Sequence, residues 1–182
     1  MKPVQIGIIG LGTVGAGTVN LLNDNAKEIT RRAGRQIKIR AVAVNDTTKP
    51  RDCDTTNFKL TGNLFEVTDD PQIDLIVELM GGESTARDVA LRSLGRGKHI
   101  VTANKALIAI HGNEIFNVAM ERGLVVAFEA AVAGGISIIK VLREGLTGNR
   151  IDRVIGIVNG TTNFILSEMY KKASPFEKVL AE

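Results

Sequence analysis

"VQIGIIGLGTVGAGTVNLL" occupies residues 4–22. Its opening, VQIGII at 4–9, reads as a buried strand. Val14, Thr18, Leu21, Leu22 and Ile29 recur near helical spacing and predict a helix over 13–33, with Gly34 as its stop. Between strand and helix stand Gly10, Gly12 and Gly15, a G-x-G-x-x-G in the context that gives the pattern meaning. Gly10 permits a tight turn, Gly12 leaves the backbone bare for a pyrophosphate to approach, and Gly15 lets the helix pack close to the strand. The first N–H groups of the helix, on Thr13, Val14 and Gly15, add free donors and a partial positive charge for an anion. The same glycines also suit a strand-to-helix turn with no ligand.

Outward from this stretch, strands and helices alternate. Residues 37–44 alternate apolar and polar and predict a second strand, while 45–63 read as polar and irregular. Strands follow at 75–79, 99–102 and 124–128. A helix is expected at 84–96, ending at Gly97, and two helical pieces at 104–110 and 113–122, broken at Gly112. Such alternation implies a parallel sheet with helices on both faces. The continuous run LIVEL at 75–79 suits a strand buried on both sides. Near residue 135 the pattern changes: 138–146 reads as helix, 150–158 as a long strand and 161–172 as helix again. The fold class expected is α/β, a Rossmann-type doubly wound parallel sheet over residues 1–135. Residues 136–182 then begin a second, α+β domain.

Composition narrows the function. Of the 182 residues 44% are apolar, enough for a core, and the net charge of +3 is too small for a general polyanion binder. The charge is uneven, because residues 27–51 hold eight Lys/Arg against two acids. That stretch is either a solvated helix face or a local field for a phosphate. Aromatics are only 4% and are not interleaved with the basic residues, which argues against nucleic acid. Cys53 is the only cysteine, so neither an intrachain disulfide nor a thiolate metal site is available, and a reducing cytoplasm fits. Met1-Lys2-Pro3 leads straight into a strand pattern, so no signal peptide is expected, and no run is long enough to cross a bilayer. His99 and His111 read as structural.

The second strand points at the adenosine ribose, where an acid selects a 2′-hydroxyl and a nearby basic group accommodates a 2′-phosphate. The sequence there is VNDTTKPR, residues 44–51. Asp46 is the candidate acid, Asn45 is neutral, and Lys49 and Arg51 are within reach of a phosphate. The signal is mixed between NAD and NADP, with a lean to NADP.

Three further stretches are more specific: VTANKALIA at 101–109, FEAAVAGGISII at 128–139 and GIVNGTTNFIL at 156–166. With GLGTVG at 10–15 they resemble homoserine dehydrogenase, in order and along essentially the entire chain. The resemblance implies an NAD(P)-dependent oxidoreductase interconverting L-homoserine and L-aspartate 4-semialdehyde, on the route to threonine, methionine and isoleucine. It also implies a homodimer or larger assembly for the full-length protein. It places Lys105 in the active site near nicotinamide and substrate, with Thr102 in the cofactor set and Gly81 and Gly82 near the nicotinamide ribose. Glu129, with the carbonyls of Val132, Gly134 and Ile136, would hold a structural monovalent cation, sodium by expectation. Ser137 departs from the family, which commonly has proline there. NGTTN at 159–163 would border the substrate cleft, with Thr161 or Thr162 capping the helix that follows.

The residues themselves bear on these roles. Lys105 follows a predicted strand end, where open α/β sheets place their ligands. A lysine in the first turn of a helix is poorly placed against the helix dipole, so a function there is favoured over a plain solvated lysine. It would orient the substrate oxygen or relay its proton. Glycine-rich backbone beside a carboxylate suits a hard cation, as it also suits a simple hinge. The chain ends in a helix-like pattern, SPFEKVLAE at 174–182, ahead of the family's acidic substrate motif, an aspartate and a second lysine. The expectation is a cofactor-binding portion with little or no homoserine turnover. Its apolar residues Ile155, Ile157, Phe164 and Ile165 are expected to be exposed. Two alternatives stay open: another Rossmann amino-acid or semialdehyde dehydrogenase, and a non-catalytic NAD(P)-binding module.

Overall fold

The computed structural model describes residues 1–156 and 159–181. Its first strand, β1 (Val4–Ile9), is flanked in parallel by β2 (Ile37–Ala43) and β4 (Leu75–Glu78). β3 (Lys59–Thr61) extends the sheet beyond β2, and β5 (His99–Thr102) and β6 (Val126–Ala127) extend it beyond β4. Every pairing is parallel, and the order is β3-β2-β1-β4-β5-β6. The strand order therefore reverses between β1 and β4, where two mononucleotide-binding halves meet.

Successive strand residues point to opposite faces, and both faces are covered. On one face Ile8 and Val42 pack with Val19 of α1 (Thr13–Asp24). On the other, Ile9, Ala43 and Ile76 pack with Val67 of α3 (Leu64–Asp69) and Val89 of α4 (Ser84–Gly95). A third cluster joins Leu94 of α4 and Ile100 of β5 to Leu107 and Ile115 of α5 (Lys105–Glu121). These clusters make the expected doubly wound arrangement. At the amino end of the sheet Lys98 is buried and donates to the carbonyls of Asp70 (2.5 Å) and Ile73 (2.8 Å), fastening the entry to β5 onto the loop before β4.

Several elements differ from expectation. The helix expected over 13–33 breaks at Asn25, giving α1 and then α2 (Ala26–Ala33). Asn25 leaves helical geometry at φ −106°, ψ 17°, and its side chain donates to Leu21 O, the local competition that short polar side chains offer a helix. The end at Gly34 is as expected, in the left-handed region at φ 71°. Gly112 does not break α5. It is buried within a continuous helix, where an added Cβ would come within 3.3 Å of the Phe116 ring, a tight contact. The stretch expected to be irregular holds β3, and α3 follows it, opened by Asn63, whose side chain accepts the Phe65 N–H. His99 is structural as expected: its Nδ1 accepts the Val125 N–H at 3.0 Å.

The chain divides into two compact units, Met1–Val132 and Ala133–Glu182. In the second, α6 (Ile138–Lys140) continues as a π-type turn over Val141–Gly145, followed by α7 (Gly160–Lys172) and α8 (Phe176–Leu180). The strand expected over 150–158 does not form at 150–156, and residues 157 and 158 lie outside the described ones. Among the described residues of this unit there is no other strand for it to pair with, and a lone strand leaves its hydrogen-bonding groups without a ladder. Asn159, not Thr161 or Thr162, caps α7, its side-chain oxygen accepting the Thr162 N–H at 2.9 Å. Ile155 and Phe164 are exposed as expected, Ile165 is half-buried, and Ile157 is outside the described residues. No helix among the described residues is long and apolar enough to cross a membrane.

Candidate functional site

The chain leaves β1 through Gly10, at φ 98°, where an added Cβ would lie 2.7 Å from the Leu79 carbonyl oxygen. A Cβ on Gly15 would lie 2.3 Å from the Gly10 oxygen, so α1 rests directly on the turn. Gly12 is different: a Cβ there meets no protein atom within 4 Å. The fold's own packing thus requires the outer two glycines and not the middle one. Gly12 instead borders a cleft of about 450 Å³. The cleft opens beyond the carboxyl ends of β1, β2 and β4, where the strand order reverses, the place at which open α/β sheets bind ligands.

One wall of the cleft is the turn itself. Gly12 brings no capping side chain to α1, and the first turn holds no acid. The opening N–H groups of a helix have no intrahelical acceptors, so those of Thr13, Val14 and Gly15 remain available to an anion. By contrast α3 and α5 begin with Asn63 and Asn104, whose side-chain oxygens accept from Phe65 N and Leu107 N.

A second wall is the loop after β2, with Asn45, Asp46, Lys49 and Arg51 lining the cleft. The Asp46 carboxylate turns back on its own loop, accepting from the Thr48 hydroxyl (2.7 Å), Thr48 N (2.8 Å) and Lys49 N (3.3 Å). The bonds from Thr48 hold its carboxyl below the usual range. Arg51 donates to Leu11 O (2.9 Å) and Asp46 O (2.5 Å), tying the glycine turn to the β2 loop. Its Nε is buried and makes no protein hydrogen bond.

The third wall is the turn after β4, with Leu79, Met80 and Gly81. Beneath it Glu78, the last residue of β4, is fully buried. Its carboxylate accepts from the Thr102 hydroxyl (2.5 Å) and Met80 N (2.9 Å). Burial pushes the Glu78 carboxyl above its usual range, against the pull of the bonds from Thr102, Met80 and the Asn104 side chain. Asn104 donates its backbone N–H to the Thr102 hydroxyl (3.0 Å) and its side-chain amide to Gly82 O (2.7 Å) and Met80 O (3.3 Å). Lys105 follows as the exposed first residue of α5. Sequence reasoning passed over Glu78 and Asn104. The signal for Glu78 was present, since an acid inside the apolar run LIVEL must be buried with its strand.

The structure therefore gathers Gly10, Gly12, Asn45, Asp46, Lys49, Arg51 and Gly81 around one cleft, with Thr13, Val14 and Gly15 in the helix turn beside it. Thr102, Gly82 and Lys105 sit at the neighbouring strand end, joined through Asn104. Glu129 opens a short 3₁₀ turn, Glu129–Ala131, after β6. Val132 closes the first unit, while Gly134 and Ile136 belong to the second. In that second unit Ala133 (φ 47°) and Gly135 (φ 85°) are left-handed, and Ile136 N donates to Ala133 O. No group of three or more His, Cys, Asp or Glu residues that could hold a metal occurs among the described residues.

A parallel sheet of this order, a glycine turn and an uncapped helix facing a cleft at the reversal point are the features of a Rossmann-type dinucleotide-binding domain. Residues 10–129 match the family described as homoserine dehydrogenase, NAD binding domain, and residues 138–182 match homoserine dehydrogenase. The chain belongs to the homoserine dehydrogenase family. It is 57% identical to the homoserine dehydrogenase of Pseudomonas aeruginosa over 182 residues, all of this chain and 42% of that protein. It is 43% identical to that of Bacillus subtilis, again over all of this chain and 42% of the relative. Among solved structures, a homoserine dehydrogenase from Thiobacillus denitrificans superposes with a TM-score of 0.93 at 54% identity, over 99% of this chain and 42% of that one. The S. aureus homoserine dehydrogenase at pH 7.5 gives 0.80 at 37% identity, over 99% of this chain and 43% of its own. The chain thus spans about 42% of the length of the curated relatives it matches.

Proposed function

We propose that this chain is the cofactor-binding part of an enzyme that interconverts L-homoserine and L-aspartate 4-semialdehyde, and that it takes NADP in preference to NAD. The observation behind this reading is Gly12, a glycine that no protein packing requires, beside an uncapped helix at a cleft in a chain of this family. The turn from Gly10 to Gly15 cradles the pyrophosphate, and Gly81 and Gly82 flank the nicotinamide half, with Thr102 buried and acting through Asn104. Asn45 and Lys49 face the adenosine ribose. The lean to NADP rests on Asp46: its carboxylate is engaged by Thr48 and Lys49 within its own loop, while Lys49 lines the cleft and brings a positive group for a 2′-phosphate.

The bound dinucleotide supplies hydride transfer, and the protein supplies position and a path for the proton. Oxidising an alcohol also removes its hydroxyl proton, and the reverse reaction returns one. Lys105, at the start of α5, orients the substrate oxygen or relays that proton. A structural monovalent cation that takes the Glu129 carboxylate as a hard oxygen donor belongs to the same reading.

The test is titration of NADPH and NADH into the 182-residue chain, followed by nicotinamide fluorescence, which no tryptophan obscures. Saturable binding with NADPH tighter is expected, with homoserine turnover at background. Lys49→Gln should shrink the NADPH preference about tenfold, the size of effect lost with a charge-assisted hydrogen bond. Absence of binding by a folded chain overturns the cofactor reading. NADH binding the tighter overturns the assignment of Lys49.

A further inference from the structure

The cofactor reading leaves Glu78 without a task, although the residue occupies the point where the two halves of the sheet meet. Glu78 stands opposite Ile9 of β1 on one side and Thr102 of β5 on the other. It is a carboxylate with no solvent exposure, in a strand whose other residues are Leu75, Ile76 and Val77. Burying such a group is costly unless its oxygens are hydrogen-bonded. Here each oxygen has a donor: Met80 N on Oε1 and the Thr102 hydroxyl on Oε2. The Thr102 oxygen in turn accepts from Asn104 N, which orders the hydroxyl so that its proton points at Glu78.

The far end of this chain of bonds is the turn over residues 80–82. Asn104 donates to the carbonyls of both Met80 and Gly82, and its side-chain oxygen also accepts from Leu107 N in the first turn of α5. One buried network therefore fixes two objects: the backbone that lines the cleft after β4, and the helix end that begins with Lys105. The β2 loop, by contrast, is tied to the glycine turn by Arg51 and has no bond to this network among those observed. The division follows the two halves of the sheet. In such a fold the β2 half receives the adenosine end of a dinucleotide, which leaves the β4–β5 half to the other nucleotide.

We propose that Glu78 is a positioning residue that, through Thr102 and Asn104, holds the 80–82 turn and the start of α5 in register for the nicotinamide half of the cofactor. This rests on the cofactor reading above, and it is specific about which half of the ligand depends on Glu78. In Glu78→Gln the carboxamide accepts on one atom only, and its NH2 group faces a donor. In Asn104→Asp the α5 cap is kept, but the amide that donates to Met80 and Gly82 becomes an acceptor facing two carbonyls.

The experiment is calorimetric titration of the 182-residue chain and these two variants with two probes. One is NADPH; the other is 2′-phospho-ADP-ribose, which carries the adenosine half and the pyrophosphate and lacks nicotinamide. The expected result is a loss of about tenfold in NADPH affinity in both variants, with the 2′-phospho-ADP-ribose affinity within about twofold of the parent chain. Equal losses for both probes overturn the proposal, because general loosening of the domain acts on the whole cleft. So does NADPH affinity unchanged in both variants. If Glu78→Gln does not fold, Asn104→Asp decides by the same comparison, and failure of both to fold overturns positioning in favour of a purely structural role. A parent chain that binds neither probe overturns the cofactor reading itself, and is told apart by the parent titration alone.

Discussion

Gly12→Ala and Gly15→Ala separate what the ligand asks of the glycine turn from what the fold asks of it. At position 15 the new methyl would stand 2.3 Å from a backbone oxygen. Overpacking of that kind costs about 1–3 kcal/mol, so chemical denaturation of Gly15→Ala should show a clear loss. At position 12 the methyl meets no protein atom, and the cost is only that of a poorer helix N-cap, up to about 1 kcal/mol. The same methyl stands where the pyrophosphate must approach, so NADPH affinity in Gly12→Ala should fall at least about tenfold while the protein stays folded. Gly12→Ala binding NADPH as tightly as the parent would remove the main support for the cleft as a dinucleotide site.

Elements in this fold are also joined at their ends, and Lys98 shows the consequence. Its buried ammonium serves the carbonyls of Asp70 and Ile73, which link the end of α3 to β4. Lys98→Met keeps the aliphatic stem and strands both carbonyls, which should cost about 1–3 kcal/mol. Amide exchange in β4 and β5 reads that loss directly; unchanged protection there would mean the carbonyls find other partners. This end of the sheet also shows how far the sequence could be read. β1, the glycine turn, β4, α4, β5 and α7 were legible, because apolar runs and their punctuation were local. β3 and α3 were not: three residues at an edge and six in a helix are too few for periodicity, and Asn63 marks α3 only once its neighbours are known. Gly112 read as a break because glycine is a poor helix former, while the buried face of Leu107, Ile115 and Ala119 that carries α5 through it is set by tertiary packing. In the site, the residues that touch the cleft were found through the glycine pattern and the resemblance. Glu78 and Asn104 were missed because the bonds that join one strand end to the other, Glu78 to Thr102 and Asn104 to Gly82, link residues more than twenty apart.

Across the whole first unit, acid stability is a contest between carboxylates of opposite kinds. Bonds from Arg92, Arg87 and Lys59 hold Asp69, Glu114 and Glu66 below their ordinary values of 3.8, 4.5 and 4.5. A depressed folded value means stability that is present above the ordinary value and is lost as pH falls through the depressed one. Glu78 runs the other way. Its raised value contributes stability that is complete below 4.5 and is lost as pH rises through the folded value. The depressed groups are the more numerous, so denaturation between pH 7 and pH 3 should show net loss on acidification. Glu78→Gln lacks the opposing contribution, so the parent chain should gain on that variant as pH is lowered from 7 toward 4.5; a constant difference would mean Glu78 titrates at its ordinary value. The strand order has a further consequence, for synthesis. β1 is made first and ends in the middle of the sheet, with β2 as its partner on one side by residue 43. Its other partner, β4, begins only at residue 75, so a nascent chain holds a two-stranded, one-sided sheet with an apolar edge open for some thirty residues of translation. Parallel pairing at such separation is slow to close. The interval before β4 emerges is therefore when this chain is most exposed to wrong pairing, and when a chaperone that covers a strand edge would matter most to its yield.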